Sequence, residues 1–330
     1  MTTKQEQKKI FNLQLFAIAA GSLLLLAKFS AYLLTHSNTI LTDALESIIN
    51  IVAGAFGLYS LYLSSKPKDF DHPYGHGKIE FISAGFEGIL IALTGVLIII
   101  KSLFAFFTTR PLEHLDIGLL IICGSGLINY MLGFFLVKEG KQHRSLVLTS
   151  DGEHLKSDAY SSFGILAGIV LIMITGLSFL DNVTAILFAL FIIYTGVKLI
   201  RKSVRGIMDE VDTEIIQSIV LLLKTNRKNE WIDVHNLRVI QYGNKLHVDC
   251  HVTLPWYFTL EKAHREIEEI AALINAKHSS QVEFFIHQDP CITASCKICS
   301  IKNCTKRKEP FLAITDWTVA NVLPNKKHGL

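Results

Sequence analysis

SDGEHLKSDAYSS, Ser150 to Ser162, opens the apolar stretch Ala159 to Leu180. His154 and Asp158 stand four residues apart at its entrance, and on a helix residues i and i+4 project from one face. An imidazole and a carboxylate therefore point at one spot on a segment that only a membrane accommodates. A metal site within the bilayer is the first hypothesis this segment raises.

A second pair repeats the spacing. Glu46 and Asn50 lie inside another apolar run, Ile40 to Leu63, where ionisable groups are costly unless paired or bound to an ion. Two helices can thus offer four ligands to one cation. The plainer reading is that all four are polar residues satisfied at helix contacts, since Asn and His hydrogen-bond across helices. Lys28 and Asp43 suggest a structural ion pair between the first two spans, with an accessory place on an ion path as the other role for Asp43.

The whole chain fits this setting. It has 330 residues, 50% hydrophobic and 18% charged, with a positive mean hydropathy, a departure from soluble composition toward a polytopic membrane protein. Six windows approach the roughly 20 apolar residues that span hydrocarbon: Phe11 to Leu34, Ile40 to Leu63, Phe81 to Phe107, Ile117 to Val137, Ala159 to Leu177 and Val183 to Ile200. Residues 1–205 are expected to form a six-helix transmembrane domain.

Lysines and arginines orient it. Lys4, Lys8 and Lys9 precede the first span, Lys66, Lys68 and Lys78 follow the second, and Lys138, Lys141 and Arg144 follow the fourth. Arg201, Lys202 and Arg205 follow the sixth, whereas the other side carries only Lys101 and Arg110. The positive-inside rule then places both termini in the cytoplasm. No small-residue cleavage site follows a short apolar core near Met1, so the first helix is expected to be retained. Asp151 and Glu153 fall at the inner mouth, where they attract cations.

After Arg205 the composition becomes soluble. A helix over Thr213 to Thr225, strands at Val234 to Gln241 and Lys245 to Leu254, a helix over Thr259 to Ala276 and a strand at Gln281 to His287 make an αββαβ order. That order predicts a small α+β domain, ferredoxin-like or metallochaperone-like, over 206–290. Residues 291–330 show no periodicity and form an appended tail.

Three further groups offer ligands. In the loop after the second span, Asp69, His72 and His76 are spaced to hold a divalent ion, with Gly75 and Gly77 easing the turn; a solvated loop is the plain alternative. The α+β domain holds His235, His247, His251, His264, His287 and Asp289, and alternation along Lys245 to Leu254 puts His247 and His251 on one face and Cys250 on the other. Ordinary surface histidines are the alternative there. Cys291, Cys296, Cys299 and Cys304 in the tail can form a thiolate metal site. Their spacing is not a zinc-finger pattern, and cytosolic thiols argue against disulfides. The run Lys306, Arg307, Lys308 suits contact with anionic lipid heads.

Together these residues resemble the cation diffusion facilitator family of divalent-metal transporters. The resemblance rests on SNTILTDALESIIN (37–50), DFDHPYGHGKIE (69–80), SDGEHLKSDAYSS (150–162), VHNLRV (234–239) and IHQDPC (286–291), and covers about the first 290 residues. It implies six helices followed by a cytoplasmic metallochaperone-like domain, a homodimer, and a transport site at Glu46, Asn50, His154 and Asp158. The fifth-span half follows the family pattern of His or Asp followed by Asp. The second-span half departs from it, with Glu in place of His or Asp and Asn in place of Asp. The resemblance places a loop site on Asp69, His72 and His76 and a cytoplasmic site on His235, His247, His287 and Asp289 with His264. The cysteine tail lies outside it.

The function so implied is export of a divalent cation from the cytosol against inward protons, across the plasma or inner membrane. Histidine and carboxylates must lose protons to bind metal, and an imidazole titrating near about pH 6.5 suits such exchange. Four side chains in tetrahedral array favour Zn²⁺, and the oxygen-rich set keeps Fe²⁺ and Mn²⁺ close behind with Co²⁺ or Cd²⁺ as passengers. The rival is a membrane-anchored metal sensor that moves no ion. No open metal site faces a base or nucleophile in the soluble part, so an enzyme is not expected, and no nucleic-acid partner is implied.

Overall fold

The computed structural model describes residues 3–35, 38–105, 115–175, 179–210, 212–242, 245–277 and 282–328. Inside the helices it leaves out the side chains at 3, 4, 31, 34, 35, 38–43, 45, 46, 49, 105, 115–122, 165, 168–173 and 179–181. The chain divides into two compact units, Met1–Met208 and Asp209–Leu330.

The first unit holds six long helices: α1 (Thr3–Thr35), α2 (Asn38–Ser64), α3 (Ile79–Ala105), α4 (Leu115–Gln142), α5 (Leu146–Thr175) and α6 (Phe179–Ile207). The shortest has 27 residues, about 40 Å of helix, more than hydrocarbon thickness. Among the described residues, Gln5–Ser30, Ile79–Phe104 and Asn182–Ile207 are long and apolar enough to cross a membrane, and Asn50–Ser64 is a shorter apolar helix. Large apolar side chains such as Leu23, Leu26, Phe104 and Leu187 face outward, while Gln14, Glu87, Asp151 and His154 are buried. This inversion of the soluble pattern is what lipid as solvent selects.

Helices α3 and α6 pack along each other, as do α4 and α5. Small residues permit it. A Cβ on Gly196 would stand 2.7 Å from the Gly88 carbonyl and 2.7 Å from the Ala92 nitrogen. A Cβ on Gly133 would stand 2.6 Å from the Gly152 carbonyl. Without hydrophobic driving force in lipid, such backbone approach supplies the van der Waals contact that holds spans together.

The second unit runs α7 (Thr213–Thr225), β1 (Asp233–Tyr242), β2 (Lys245–Leu254), α8 (Leu260–Lys277) and β3 (Val282–Pro290). Asp212 caps α7 by accepting from the Glu214 and Ile215 amides. Ile216, Ile219, Val220 and Leu223 bury one face at helical spacing. β2 is central, antiparallel to β1 and parallel to β3. Its Leu246, Val248, Cys250 and Val252 enter the core with Ile270 and Ile274 of α8.

Residues beyond Pro290 are built into this unit. A 3-10 turn (Thr293–Lys297) and α9 (Val319–Val322) follow β3, and Trp317 and Val322 are buried in the same core. Arg227 stacks 3.9 Å from the Trp317 ring centre and donates to the Thr315 carbonyl at 2.6 Å. The segment lacks periodicity because isolated anchors, rather than a regular face, fasten it.

Candidate metal sites

In the first unit, α2 and α5 meet at Asn50 and Asp158, where Asn50 Nδ2 donates a hydrogen bond to Asp158 Oδ2. His154 Nε2 lies 3.9 Å from Asp158 Oδ1, one helical turn away on α5. The His154 ring is buried, and among the described residues its Nδ1 has no hydrogen-bond partner. Buried polar atoms normally find partners, so an imidazole held this way beside a carboxylate is apt for a cation. Glu46 precedes Asn50 by one turn of α2, and its side chain lies outside the described residues.

Two buried groups near this site carried no spacing signal. Gln14 of α1 donates to Asp151 Oδ2 at 3.0 Å and to the Gly54 carbonyl at 3.3 Å. Glu87 of α3 is fully buried, with Ser150 and Asp151 of α5 beside its carboxylate. Neither has a titratable companion one turn away on its own helix, and only packing brings them beside α5. A lone Glu within an apolar span was the one available hint. Asp151 is thus buried between helices rather than open at a mouth, and Glu153 pairs with Lys156 at 2.9 Å. Lys28 Nζ donates to Ser47 Oγ at 2.9 Å, tying α1 to α2; the Asp43 side chain lies outside the described residues.

The loop between α2 and α3 gathers its ligands. Asp69 accepts from the His72 amide at 2.7 Å and sits 2.9 Å from His72 Nδ1 and 3.3 Å from His76 Nε2. Gly75, at φ +89°, makes the left-handed turn that returns His76 toward Asp69. Desolvation raises the Asp69 carboxyl, but the hydrogen bonds from His72 and the charges of His72 and His76 together outweigh it and hold the group below its usual range.

In the second unit the register decides which histidines meet. His235 on β1 is opposite His251 on β2, and His251 is opposite His287 on β3. Asp289 Oδ2 lies 3.3 Å from His235 Nε2 and 3.2 Å from His251 Nδ1, and Asp289 Oδ1 lies 3.6 Å from His287 Nε2. The ligand atoms of His235, His251 and Asp289 all lie within 4.8 Å of one another, as do those of Asp69, His72 and His76. His247 is placed elsewhere. It pairs with Ile240 and Glu283 in register, packs on the Tyr242 ring and lies 3.5 Å from Glu283 Oε2. His251 therefore takes the position expected of His247, because the cross-strand partner of His235 is set by pairing and not by face alone. His264, exposed on α8, is 3.4 Å from Glu268. Behind His235, Asp233 accepts from the His328 amide at 3.0 Å, a partner carried by the last turn of chain.

Comparison with known proteins matches this chain to one family. A model described as the cation efflux transmembrane domain matches residues 15–208, more than half the chain. The chain belongs to the cation efflux family. These cation diffusion facilitators are divalent-metal transporters, not enzymes. A second model, the cation efflux protein cytoplasmic domain, matches residues 211–291. The chain is similar to the manganese efflux system protein MneP of Bacillus subtilis, 27% identical over 283 residues that cover 84% of this chain and 94% of the relative. It is similar to the cation-efflux pump FieF of Shewanella oneidensis, 25% identical over 83% of this chain and 92% of the relative. An uncharacterized transporter of Synechocystis is 28% identical over 75% of this chain and 80% of its own. As a cation efflux protein, the chain is an integral, multi-pass membrane protein.

Proposed function

We propose that this cation efflux protein exports a divalent transition metal from the cytosol in exchange for protons, with Glu46, Asn50, His154 and Asp158 as the transport site. The observation that carries the reading is the meeting of Asn50, Asp158 and a buried His154 across two membrane helices. The Asn50 amide faces Asp158 through nitrogen; turning that amide presents Oδ1 instead and frees the carboxylate for the cation. Protonating His154 and the carboxylates opposes metal binding, and deprotonating them restores it, so a pH difference across the membrane drives exchange.

Zn²⁺ is the leading cargo because four side-chain ligands suit tetrahedral binding. Fe²⁺ and Mn²⁺ follow, since three of the four donors are oxygen, and the name of MneP records manganese for one relative. The chain sits in the plasma or inner membrane with both termini cytoplasmic, works as a homodimer, and senses cytosolic metal at His235, His251, His287 and Asp289, with the loop site at Asp69, His72 and His76. Purified protein in proteoliposomes, given Zn²⁺, Fe²⁺, Mn²⁺, Co²⁺ and Cd²⁺ with and without a pH gradient, tests the reading. Gradient-dependent flux of at least one ion is expected. Metal binding with no flux of any ion would leave only a membrane-anchored sensor.

A further inference from the structure

Cys291, Cys296, Cys299 and Cys304 all line one cavity of about 330 Å³ in the second unit, at and beyond the end of the family match. All four are free thiols. The backbone round them is held firmly. Arg307 donates to the carbonyls of Cys296, Cys299 and Ile301 at 2.8, 2.9 and 2.7 Å. Cys299 and Ile298 pack on Ile232, and the Cys291 amide bonds the Leu254 carbonyl at 2.8 Å.

The spacing of the thiols identifies what they hold. A single Zn²⁺, bound tetrahedrally at about 2.3 Å, draws every pair of sulfurs to within about 4 Å. Among the described residues, the triads whose ligand atoms lie within 4.8 Å of one another are the two histidine and aspartate groups above. No three of the four thiols form such a triad, although all four face one cavity. In a two-iron cluster the four thiolates are shared between two irons and in a four-iron cubane each binds its own, so no three sulfurs gather on one metal. The sequence spacing, C-x4-C-x2-C-x4-C, shares its first three positions with the plant-type [2Fe–2S] ligand run and with no finger pattern.

The surroundings suit an anionic cluster. The Trp256 amide donates to Cys291 Sγ at 3.4 Å, the Lys308 amide to Cys296 Sγ at 3.5 Å and the Tyr257 hydroxyl to Cys304 Sγ at 3.9 Å. Hydrogen bonds to sulfur and nearby positive charge stabilise and tune such centres, and Lys306, Arg307 and Lys308 line the same cavity. We propose that Cys291, Cys296, Cys299 and Cys304 bind an iron–sulfur cluster. The proposal stands on this unit alone and does not depend on the transport reading.

The test uses the full chain in detergent, purified without oxygen and reconstituted with ferrous iron and sulfide. A brown protein with about two or about four acid-labile sulfides per chain, and at least as many irons, is expected. The double variant Cys296→Ser/Cys299→Ser should lose the sulfide, and Cys123→Ser should keep it. Iron at the transport or histidine sites brings no sulfide, so the sulfide count separates them. A colourless protein with one zinc per chain, or no sulfide after reconstitution, overturns the proposal. Should the double variant fail to fold, the sulfide content of the unaltered chain still decides.

Discussion

Asn50 of α2 and Asp158 of α5 are joined by a hydrogen bond from Nδ2 to Oδ2, beside the buried imidazole of His154. The amide is placed where the family pattern has a second carboxylate. Asp158 thus has a neutral neighbour, and under the proposed transport reading ion choice turns on that amide.

Asp158→Ala removes a ligand shared by two helices and should lower metal flux on the order of 100-fold or more, with the protein still folded by circular dichroism. Flux within a few-fold of the unaltered chain would remove Asp158 from the site.

Asn50→Asp adds a charged oxygen beside Asp158. The order of preference among Zn²⁺, Fe²⁺ and Mn²⁺ in the flux panel, or its dependence on the pH gradient, is expected to change. An identical ion profile would place Asn50 outside the ligand set.

His251→Ala and His247→Ala separate two residues that alternation alone cannot. In calorimetric Zn²⁺ titrations of the full chain, His251→Ala should weaken binding by roughly 10- to 100-fold, because it strips one member of the Asp289 group. His247→Ala should leave the isotherm unchanged. The reverse result would mean that the strand register differs on metal binding.

Gly196→Ala should destabilise the membrane unit by about 1–3 kcal/mol, since its Cβ would strike the backbone of α3 at Gly88 and Ala92. Gly21→Ala, whose Cβ meets nothing within 4 Å, should be neutral or stabilising by up to about 1 kcal/mol. Melting in detergent distinguishes them, and equal shifts would refute the close α3 to α6 approach.

Lys228 gives a pH signature. The Glu269 carboxylate, then Glu266, hold its ammonium above its ordinary 10.5 despite slight desolvation. A raised folded-state value stabilises fully below 10.5 and is lost as pH rises through the folded value. Lys228→Met should therefore flatten the alkaline limb of the melting profile, by a small amount because the pair is exposed. An unaltered limb would show that Lys228 adds nothing there.

Much of this was legible beforehand for local reasons. The i, i+4 pairs, the six spans and the αββαβ order follow from period and length, which neighbouring residues alone specify. The loop triad was legible too, since Asp69, His72 and His76 lie within one turn-rich segment. Gln14 and Glu87 were not, as each depends on which helix packs beside it. The anchoring of Trp317 was equally hidden, being a single residue without periodic companions.

The sequence by itself determined that His154 and Asp158 share a face inside a membrane segment, and that a histidine-bearing α+β unit follows. Only the tertiary structure decided that His251 rather than His247 joins His235 and Asp289, and that four cysteines line one cavity. Side-chain direction along one element is set by its own geometry. Partners across elements are set by register and packing, which no single stretch of chain contains.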